Sequence, residues 1–362
     1  MAAPSSDVLT RRLRNQKLTS AEKLTSAQLV SWLCAVQAQD YPAAKWALGL
    51  RARGLGDADI EQAFNEGKIL RTHVLRPTWH FVSPDDIRWL LALSAPRVHV
   101  LNAHYYRQAG LDDKTVKKSC AMIQRSLAEE KHLTRMELAE RLKRAKISAD
   151  GLKLAYLMMH AELEGVICSG PRHDKHFTYA LLDERAPKTT AITRDEALAR
   201  LAGRYFTSHG PATIRDFACW SGLTVRDARL AIELAKDALV EETIDDRLHW
   251  SAASTPAPAP PRTSPVYLLP NYDEYLVAYK DRPAPDSSRA ANMEARSGGA
   301  FPHHLVIDGR LAGSWRRTVK NNSVEIEVAP YKPLSKAHAR AATGEAECYG
   351  EFLNMPIEIT IY

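Results

Sequence analysis

Two glutamines one residue apart, Gln37 and Gln39, lie in the segment WLCAVQAQDYP at the end of an apolar run. The apolar spacing predicts a helix from about Thr25, and Pro42 predicts that this helix ends near Gln39. Side chains at i and i+2 point apart on a helix but to the same side of an extended segment. Near the end of the helix the two carboxamides can therefore converge on one spot. The alternative is two exposed polar side chains at a helix terminus.

Carboxamides are neither acids nor bases, so the chemistry open to this pair is binding and orientation. Two carboxamide oxygens can hydrogen-bond one water molecule and orient it, but they are too weakly basic to deprotonate it strongly. Asp40, the next residue, has two open roles: its carboxylate stabilises developing positive charge, or it caps the helix that follows at Tyr41-Pro42. No lysine or N-terminal proline stands out as a Schiff-base nucleophile, so we expect no lyase step.

The composition limits the classes of protein that can carry this pair. The chain has 362 residues, which exceeds one compact core, and 49 Lys and Arg against 43 Asp and Glu give a formal net charge of +6. That excess suits a polyanionic partner, although many soluble proteins carry one like it. Five scattered cysteines without a CxxC pair indicate neither a zinc site nor a disulfide framework, so we expect no metal. The lack of a signal peptide and of a long apolar run predicts a soluble cytoplasmic protein without membrane contact.

A pattern of helices followed by a two-stranded ribbon occurs three times and must position the glutamines. We predict a mainly α plus β fold with three tandem winged-helix (helix-turn-helix) modules at 1–95, 96–190 and 191–252, a Pro/Ala linker at 253–265, and a small antiparallel β-barrel-like domain at 266–362. In the last domain Asp308-Gly309 and Asn321-Asn322 predict hairpin turns, EYLVAY predicts a strand, and the polar segment 280–304 predicts a mobile loop.

Basic and polar side chains on the predicted ribbons are candidates for contact with a phosphate backbone. They lie on the first wing, on the tip of the second wing and on the hairpin of the last domain: Thr78 and His80; Arg172 and Lys175; Arg316, Arg317 and Lys320. His80 faces the polyanion or the site, or it is a buried structural histidine, and both readings stay open. Trp79 and Phe81 alternate with it and are expected in the core. The hairpin has an alternative too, as a solvated edge strand that charge protects.

Four segments together resemble the HTH_42 winged-helix superfamily of bacterial DNA glycosylases. They are AVQAQDYPAAKWALGLR, RTHVLRPTWHFVSPDDIRWLLAL, LLPNYDEYLVAYKDR and IDGRLAGSWRR. The most specific markers are QAQ at 37–39, Thr-Trp-His at 78–80 and LLPNYDEYL after the linker, and the resemblance extends from about Leu18 to Tyr362. The QxQ form is similar to the AlkZ type, whereas relatives of the YcaQ type carry Asp in place of the second Gln.

The resemblance implies a monofunctional glycosylase that hydrolyses the N-glycosidic bond of N7-alkylguanine, including azinomycin-type interstrand crosslinks, in DNA repair and self-resistance. On this view Gln37 and Gln39 are the catalytic pair that holds the attacking water. The implied partner is double-stranded DNA with an alkylated guanine, bound by a monomer in the nucleoid without a cofactor. The chemistry agrees, because guanine alkylated at N7 is cationic and leaves as a neutral base without a general acid.

Two other classes of protein stay open. A winged-helix transcription regulator would need a dimerisation element and a recognition helix rich in Arg, Asn or Gln, and neither is evident. A non-catalytic protein that sequesters a drug or an adduct would use the cleft between the wings. Release of a free base from damaged DNA separates the enzyme from both.

Overall fold

The computed structural model describes residues 4–20, 22–52, 54–254, 266–280 and 302–362. Most of the predicted linker and most of the predicted mobile loop lie outside these residues. The described helices α1 to α14 are Ser6–Asn15, Ser26–Leu33, Tyr41–Gly49, Asp57–Asn65, Ile87–Gln108, Asp113–Glu129, Arg135–Arg144, Gly151–Leu163, Leu182–Arg185, Arg194–His209, Ile214–Ser221, Val225–Leu234, Glu274–Val277 and Lys336–Leu353. The described strands β1 to β13 are Ala35–Gln37, Leu70–His73, Trp79–Val82, Leu133–Thr134, Ile167–Ser169, Thr178–Leu181, Leu239–Ile244, Arg247–Ala252, Val266–Leu269, His303–Ile307, Arg310–Val319, Val324–Pro330 and Ile357–Ile361.

The helix before the two glutamines ends earlier than its apolar pattern indicates. A capping box at Thr25 begins α2, but the helix ends at Leu33 because Cys34 has a φ of +69°. The next three residues form β1, which pairs with β3. The prediction of one helix as far as the second glutamine is therefore wrong. A short buried apolar run fits a strand as well as a helix, and the pairing with β3 decides between them.

Three small sheets carry the predicted ribbons. Their strand orders are β1-β3-β2, β4-β6-β5 and β7-β8, and every pairing in them is antiparallel. Asp245 and Asp246, with φ of 52° and 57°, make the turn between β7 and β8. The fold is thus a mixture of helices and small sheets, and its division into three winged-helix modules stays a prediction.

The C-terminal sheet is open, so the prediction of a β-barrel-like domain is wrong. Its five described strands have the order β13-β12-β11-β10-β9, and β12 pairs with β13 in parallel. A parallel pair needs a crossover, and α14 supplies it while packing against β9 and β13. The predicted strand EYLVAY is instead the short helix α13, which the Asp273 side chain caps by accepting a hydrogen bond from the Tyr275 N–H. Both predicted hairpin turns are present, at 308–309 and 321–322.

The largest hydrophobic core joins the two ends of the chain. Apolar side chains of α1 to α4 pack with β9 to β12 and α14 in one cluster. Trp46 of α3 shows the junction, since its indole N–H donates to the Leu268 carbonyl at 2.8 Å and its ring meets the Tyr349 ring edge-on. The strand that carries Gln37 therefore lies where the N-terminal and C-terminal parts of the chain meet. Within the described residues, no helix has both the length and the apolar character needed to cross a lipid bilayer.

Candidate active site

Gln37 lies in a row of three side chains across the first sheet. Its partner on β3 is His80, and the partner of His80 on β2 is Thr72. Directly opposed residues of an antiparallel sheet point to the same face, so these three side chains are neighbours. Gln37 is 9% exposed, and no described group hydrogen-bonds its carboxamide. The hydroxyl of Thr72 is buried and also has no partner among the described residues. This face of the sheet thus carries polar atoms with unused hydrogen-bonding capacity.

Gln39 lies beside the same strand but faces solvent. Its carboxamide oxygen accepts a long hydrogen bond, 3.4 Å, from the backbone N–H of Trp79. Ala38, between the glutamines, is held more tightly: its N–H donates to the Trp79 carbonyl at 2.7 Å, and its carbonyl accepts from Arg71 Nε at 3.0 Å. Both carboxamides therefore flank the first two residues of β3, one nearly buried and one exposed.

A buried carboxylate holds the backbone of Gln37 from the other edge of β1. Glu274 is 1% exposed and accepts hydrogen bonds from the Gln37 N–H at 2.8 Å and from the Trp220 indole at 2.9 Å. Burial alone would raise the pKa of Glu274, but His209, Arg76 and the Gln37 N–H outweigh it and lower the pKa to about 2. The carboxylate is therefore ionised at neutral pH, and its charge strengthens both hydrogen bonds.

Two more side chains of the segment before α13 fix the backbone around the glutamines. Asp273 makes a bidentate ion pair with Arg51, with both N–O distances 2.8 Å, and both residues are buried. Asn271 donates to one oxygen of Asp40 at 3.2 Å, and the other oxygen caps α3 by accepting from Ala43 N–H at 3.1 Å. The capping role that we considered for Asp40 is therefore the one observed. The visible signal for these contacts is the cluster of Asn271, Asp273 and Glu274 within the otherwise apolar and aromatic segment LLPNYDEYL.

His80 is fully buried, which favours its reading as a structural histidine, and its contact with DNA stays a prediction. Its side chain has no exposed surface, and burial first, then the charge of Arg76, lowers the pKa of His80 to about 3. Its Nδ1 lies 2.9 Å from the Thr78 carbonyl, which can only accept, so Nδ1 carries the proton. The other nitrogen then accepts from Arg76 at 3.3 Å. Thr78 is half-buried, and its hydroxyl has no partner among the described residues.

The two predicted DNA contacts at the tip of the second ribbon differ in exposure: Arg172 is partly buried and Lys175 is exposed. The Arg172 guanidinium lies 4.1 Å from the Phe177 ring centre and 5.4 Å from that of Tyr41, and it donates to the Lys175 carbonyl at 2.7 Å. These contacts bind the ribbon to α3, so Arg172 is committed to packing. Lys175 is exposed, and its ammonium has no partner among the described residues.

The predicted basic hairpin between β11 and β12 is not basic on its outer face. Arg316 pairs with Glu327 through two hydrogen bonds, and Lys320 pairs with Glu325. Arg317 points to the opposite face, where it donates to the Tyr349 hydroxyl. The hairpin strand β11 is also internal to the sheet, so the alternative of an edge strand is wrong. Any binding of phosphate here requires exchange of exposed ion pairs, which costs little because such pairs contribute little to stability.

The arrangement around β3 favours the binding of a small polar molecule. Two carboxamides flank the strand, the nearby imidazole is neutral, and the ionised carboxylate of Glu274 lies on the far side of β1. The carboxylate of Glu162 accepts a hydrogen bond from the Trp79 indole at 3.4 Å. The model of the DNA glycosylase AlkZ-like family matches residues 30–352, and the chain belongs to that family.

Two comparisons with individual proteins agree with this membership. The chain is 25% identical to an interstrand DNA cross-link repair glycosylase of Streptomyces sahachiroi, over 96% of this chain and 95% of that protein. The solved structure of the Streptomyces sahachiroi DNA glycosylase AlkZ superposes with a TM-score of 0.78 at 22% identity, over 99% of this chain and 100% of that one. The structural likeness at this identity shows the shared fold.

Proposed function

We propose that this chain is a monofunctional DNA glycosylase that hydrolyses the N-glycosidic bond of N7-alkylguanine, including guanines in azinomycin-type interstrand crosslinks. Membership of the DNA glycosylase AlkZ-like family supports the reaction class. The name of the Streptomyces sahachiroi relative, an interstrand DNA cross-link repair glycosylase, supports crosslinked DNA as a substrate. The observation that carries the proposal is the Gln37 carboxamide beside β3: it is almost buried and has no partner among the described residues, while Glu274 fixes its backbone.

In the proposed reaction Gln37 and Gln39 hold one water molecule for attack on C1′ of the damaged nucleotide. The C1′–N9 bond breaks, and its electron pair neutralises the cationic base, so the base leaves without a proton from the enzyme. A C1′–O bond forms to the water, and the water's proton passes to solvent, which leaves an abasic sugar. Positioning of this kind replaces a strong base because the oxocarbenium-like transition state is itself a strong electrophile.

The selectivity for alkylated over unmodified guanine then depends partly on how readily each base leaves. An unmodified guanine is a poor leaving group, and a site without a general acid should leave it in place. Neither the neutral, buried imidazole of His80 nor the ionised carboxylate of Glu274 can supply that proton at neutral pH. Normal DNA should therefore survive contact with the enzyme.

The DNA contacts proposed for this reaction come from the first two ribbons and the β11–β12 hairpin. Lys175 at the tip of the second ribbon offers an exposed cation, and Thr78 offers a hydroxyl without a partner among the described residues. Arg316, Arg317 and Lys320 contribute after they exchange their present partners for phosphate oxygens.

The direct test is release of a free base from defined DNA. The full chain is incubated with duplexes that contain N7-methylguanine or a crosslinked guanine, and the small-molecule fraction is analysed by mass spectrometry. We expect free alkylguanine from both and none from unmodified duplex, with the abasic strand intact until alkali is added. Tight binding of damaged DNA without any released base would support a sequestering protein instead. Strand breakage without alkali would contradict the monofunctional reaction.

A further inference from the structure

A second group of polar side chains lies on α5 and α8, among residues that the proposed reaction does not use. His99 comes from the middle of α5, and His160 and Glu164 come from the C-terminal end of α8. One donor atom from each of the three lies within 4.8 Å of the others, and the two imidazole rings are 4.6 Å apart. In the part of the chain that the structure describes, this is the one group of three such donors.

The spacing of these donors fits a four-coordinate ion after small side-chain movements. Zn²⁺ bonds nitrogen and oxygen at about 2.0 to 2.2 Å, which places neighbouring ligand atoms about 3.4 Å apart. His99 Nε2 and Glu164 Oε1 are already 3.0 Å apart. His160 and Glu164 are four positions apart, so they share one face of the end of α8. The three donor atoms lie within 4.8 Å of one another, so side-chain rotations that bring them to about 3.4 Å would close the set around one ion.

The surroundings give an ion access to these donors. A cleft of about 370 Å³ reaches His99 and Glu164, so an ion can enter without opening the core. Two imidazole nitrogens and one carboxylate oxygen suit Zn²⁺ better than Mg²⁺ or Ca²⁺, which prefer oxygen alone.

We propose that His99, His160 and Glu164 form a binding site for a divalent transition-metal ion of the Zn²⁺ class, which ties α5 to α8. This site is separate from the two glutamines, and its existence does not depend on the glycosylase reaction. Without the ion, His99 Nε2 and Glu164 make an exposed polar contact of 3.0 Å, and contacts of this kind contribute little to stability. With the ion bound, two helices that are distant in sequence share one coordination centre.

The test uses the full chain after removal of metals with a chelator. Titration with ZnCl₂ in a calorimeter should give one ion per chain, and Co²⁺ should give the visible absorption of a low-symmetry four-coordinate ion. His160→Ala and Glu164→Gln should each weaken Zn²⁺ affinity by tenfold or more. Glu164 is exposed, so Glu164→Gln preserves the fold even if His160→Ala does not, and thermal unfolding without metal checks both.

Two matched controls locate the binding. His104→Ala removes an exposed histidine from the same helix, and His173→Ala/His176→Ala removes the histidines of the second ribbon. Both should bind Zn²⁺ as the unmodified chain does. The proposal is overturned if the unmodified chain binds no Zn²⁺, if folded Glu164→Gln binds it equally well, or if loss of binding follows the ribbon variant.

Discussion

The backbone N–H of Gln37 donates a hydrogen bond of 2.8 Å to the carboxylate of Glu274, which lies 237 positions later in the chain. The acceptor is buried and ionised, and its second oxygen is occupied by the Trp220 indole. Because the contact uses the backbone, the Gln37 side chain stays free of it. A buried charge thus fixes the position of the carboxamide without using the carboxamide.

Replacement of Glu274 should therefore slow base release without weakening DNA binding. Glu274→Gln keeps the shape but replaces one acceptor oxygen by an NH₂ group, which cannot accept both present hydrogen bonds. We expect the single-turnover rate at saturating enzyme to fall by about tenfold to a hundredfold, with the dissociation constant for DNA within about twofold of the original. Trp220→Phe, which removes the other donor and spares the Gln37 contact, should have the smaller effect on the rate. A folded Glu274→Gln protein with the original rate would show that this contact does not position the site.

The burial of His80 should make the protein less stable in mild acid. Its pKa is about 3 in the folded chain and roughly 6.5 when unfolded. Between these values the unfolded chain binds a proton that the folded chain does not, so stability falls as the pH falls through this window. From about pH 7.5 to about pH 5 the loss from this one group is about 2 kcal/mol.

A variant that lacks only His80 isolates the contribution of this residue to the pH dependence of stability. Arg76, Glu274 and His73 are the charged or titratable groups that act on His80, and they are unchanged in His80→Gln. Urea unfolding at the two pH values should show a smaller loss of free energy of unfolding for His80→Gln by about 2 kcal/mol. Equal losses in the two proteins would mean that His80 is not held neutral in the folded chain.

Substitution of the two cations at the tip of the second ribbon should have different effects, on stability for Arg172 and on DNA binding for Lys175. Arg172→Ala removes contacts with Phe177 and Tyr41 and should lower the free energy of unfolding by about 1 to 3 kcal/mol. Lys175→Ala removes an exposed cation and should leave stability unchanged. It should weaken DNA binding several-fold at low salt and reduce the slope of log affinity against log salt by about 1. Fluorescence anisotropy over a range of salt concentrations measures both quantities. The opposite pattern, with Lys175→Ala unstable and Arg172→Ala defective only in binding, would reverse the assignment.

Removal of carboxylates from the β11–β12 hairpin should strengthen DNA binding. Glu327 and Glu325 now neutralise Arg316 and Lys320 on the exposed face. Glu325→Gln/Glu327→Gln frees both cations for phosphate, so we expect affinity to rise by about twofold to tenfold with a steeper salt dependence. Glu347→Gln/Glu351→Gln, which removes two exposed carboxylates from α14, is the control for net charge. If both double variants raise affinity equally, the hairpin makes no specific contribution.

Features that depend on local chemistry were predictable from the sequence. Asp308 and Gly309 have φ of 51° and 77°, the conformation that a tight hairpin turn demands and that this dipeptide favours. Thr25 begins α2, and Asp40 caps α3, as short-range capping patterns indicate. Each of these outcomes is decided within a few residues.

Features that depend on packing partners were not predictable in this way. Glu274 contacts Gln37 only because distant parts of the chain meet, and Arg172 is partly buried only because Tyr41 and Phe177 lie beside it. The end of α2 at Leu33 follows from the pairing of β1 with β3, which an apolar run cannot reveal. The C-terminal sheet is open, and the helix α14 connects its last two strands. The Ala-rich sequence of α14 is typical of a helix, and the prediction of a β-barrel-like domain did not take it into account.

The central claim is that the carboxamides of Gln37 and Gln39 hold the water that releases an alkylated base. The most direct test measures the single-turnover rate at which the variants Gln37→Ala and Gln39→Ala release N7-methylguanine from DNA. The control is Gln62→Ala, which changes an exposed glutamine of α4. We predict that each of the two variants loses about one to three orders of magnitude in rate, while DNA affinity and thermal stability are retained and the control is unaffected. Two folded variants that release the base at the original rate would contradict the account.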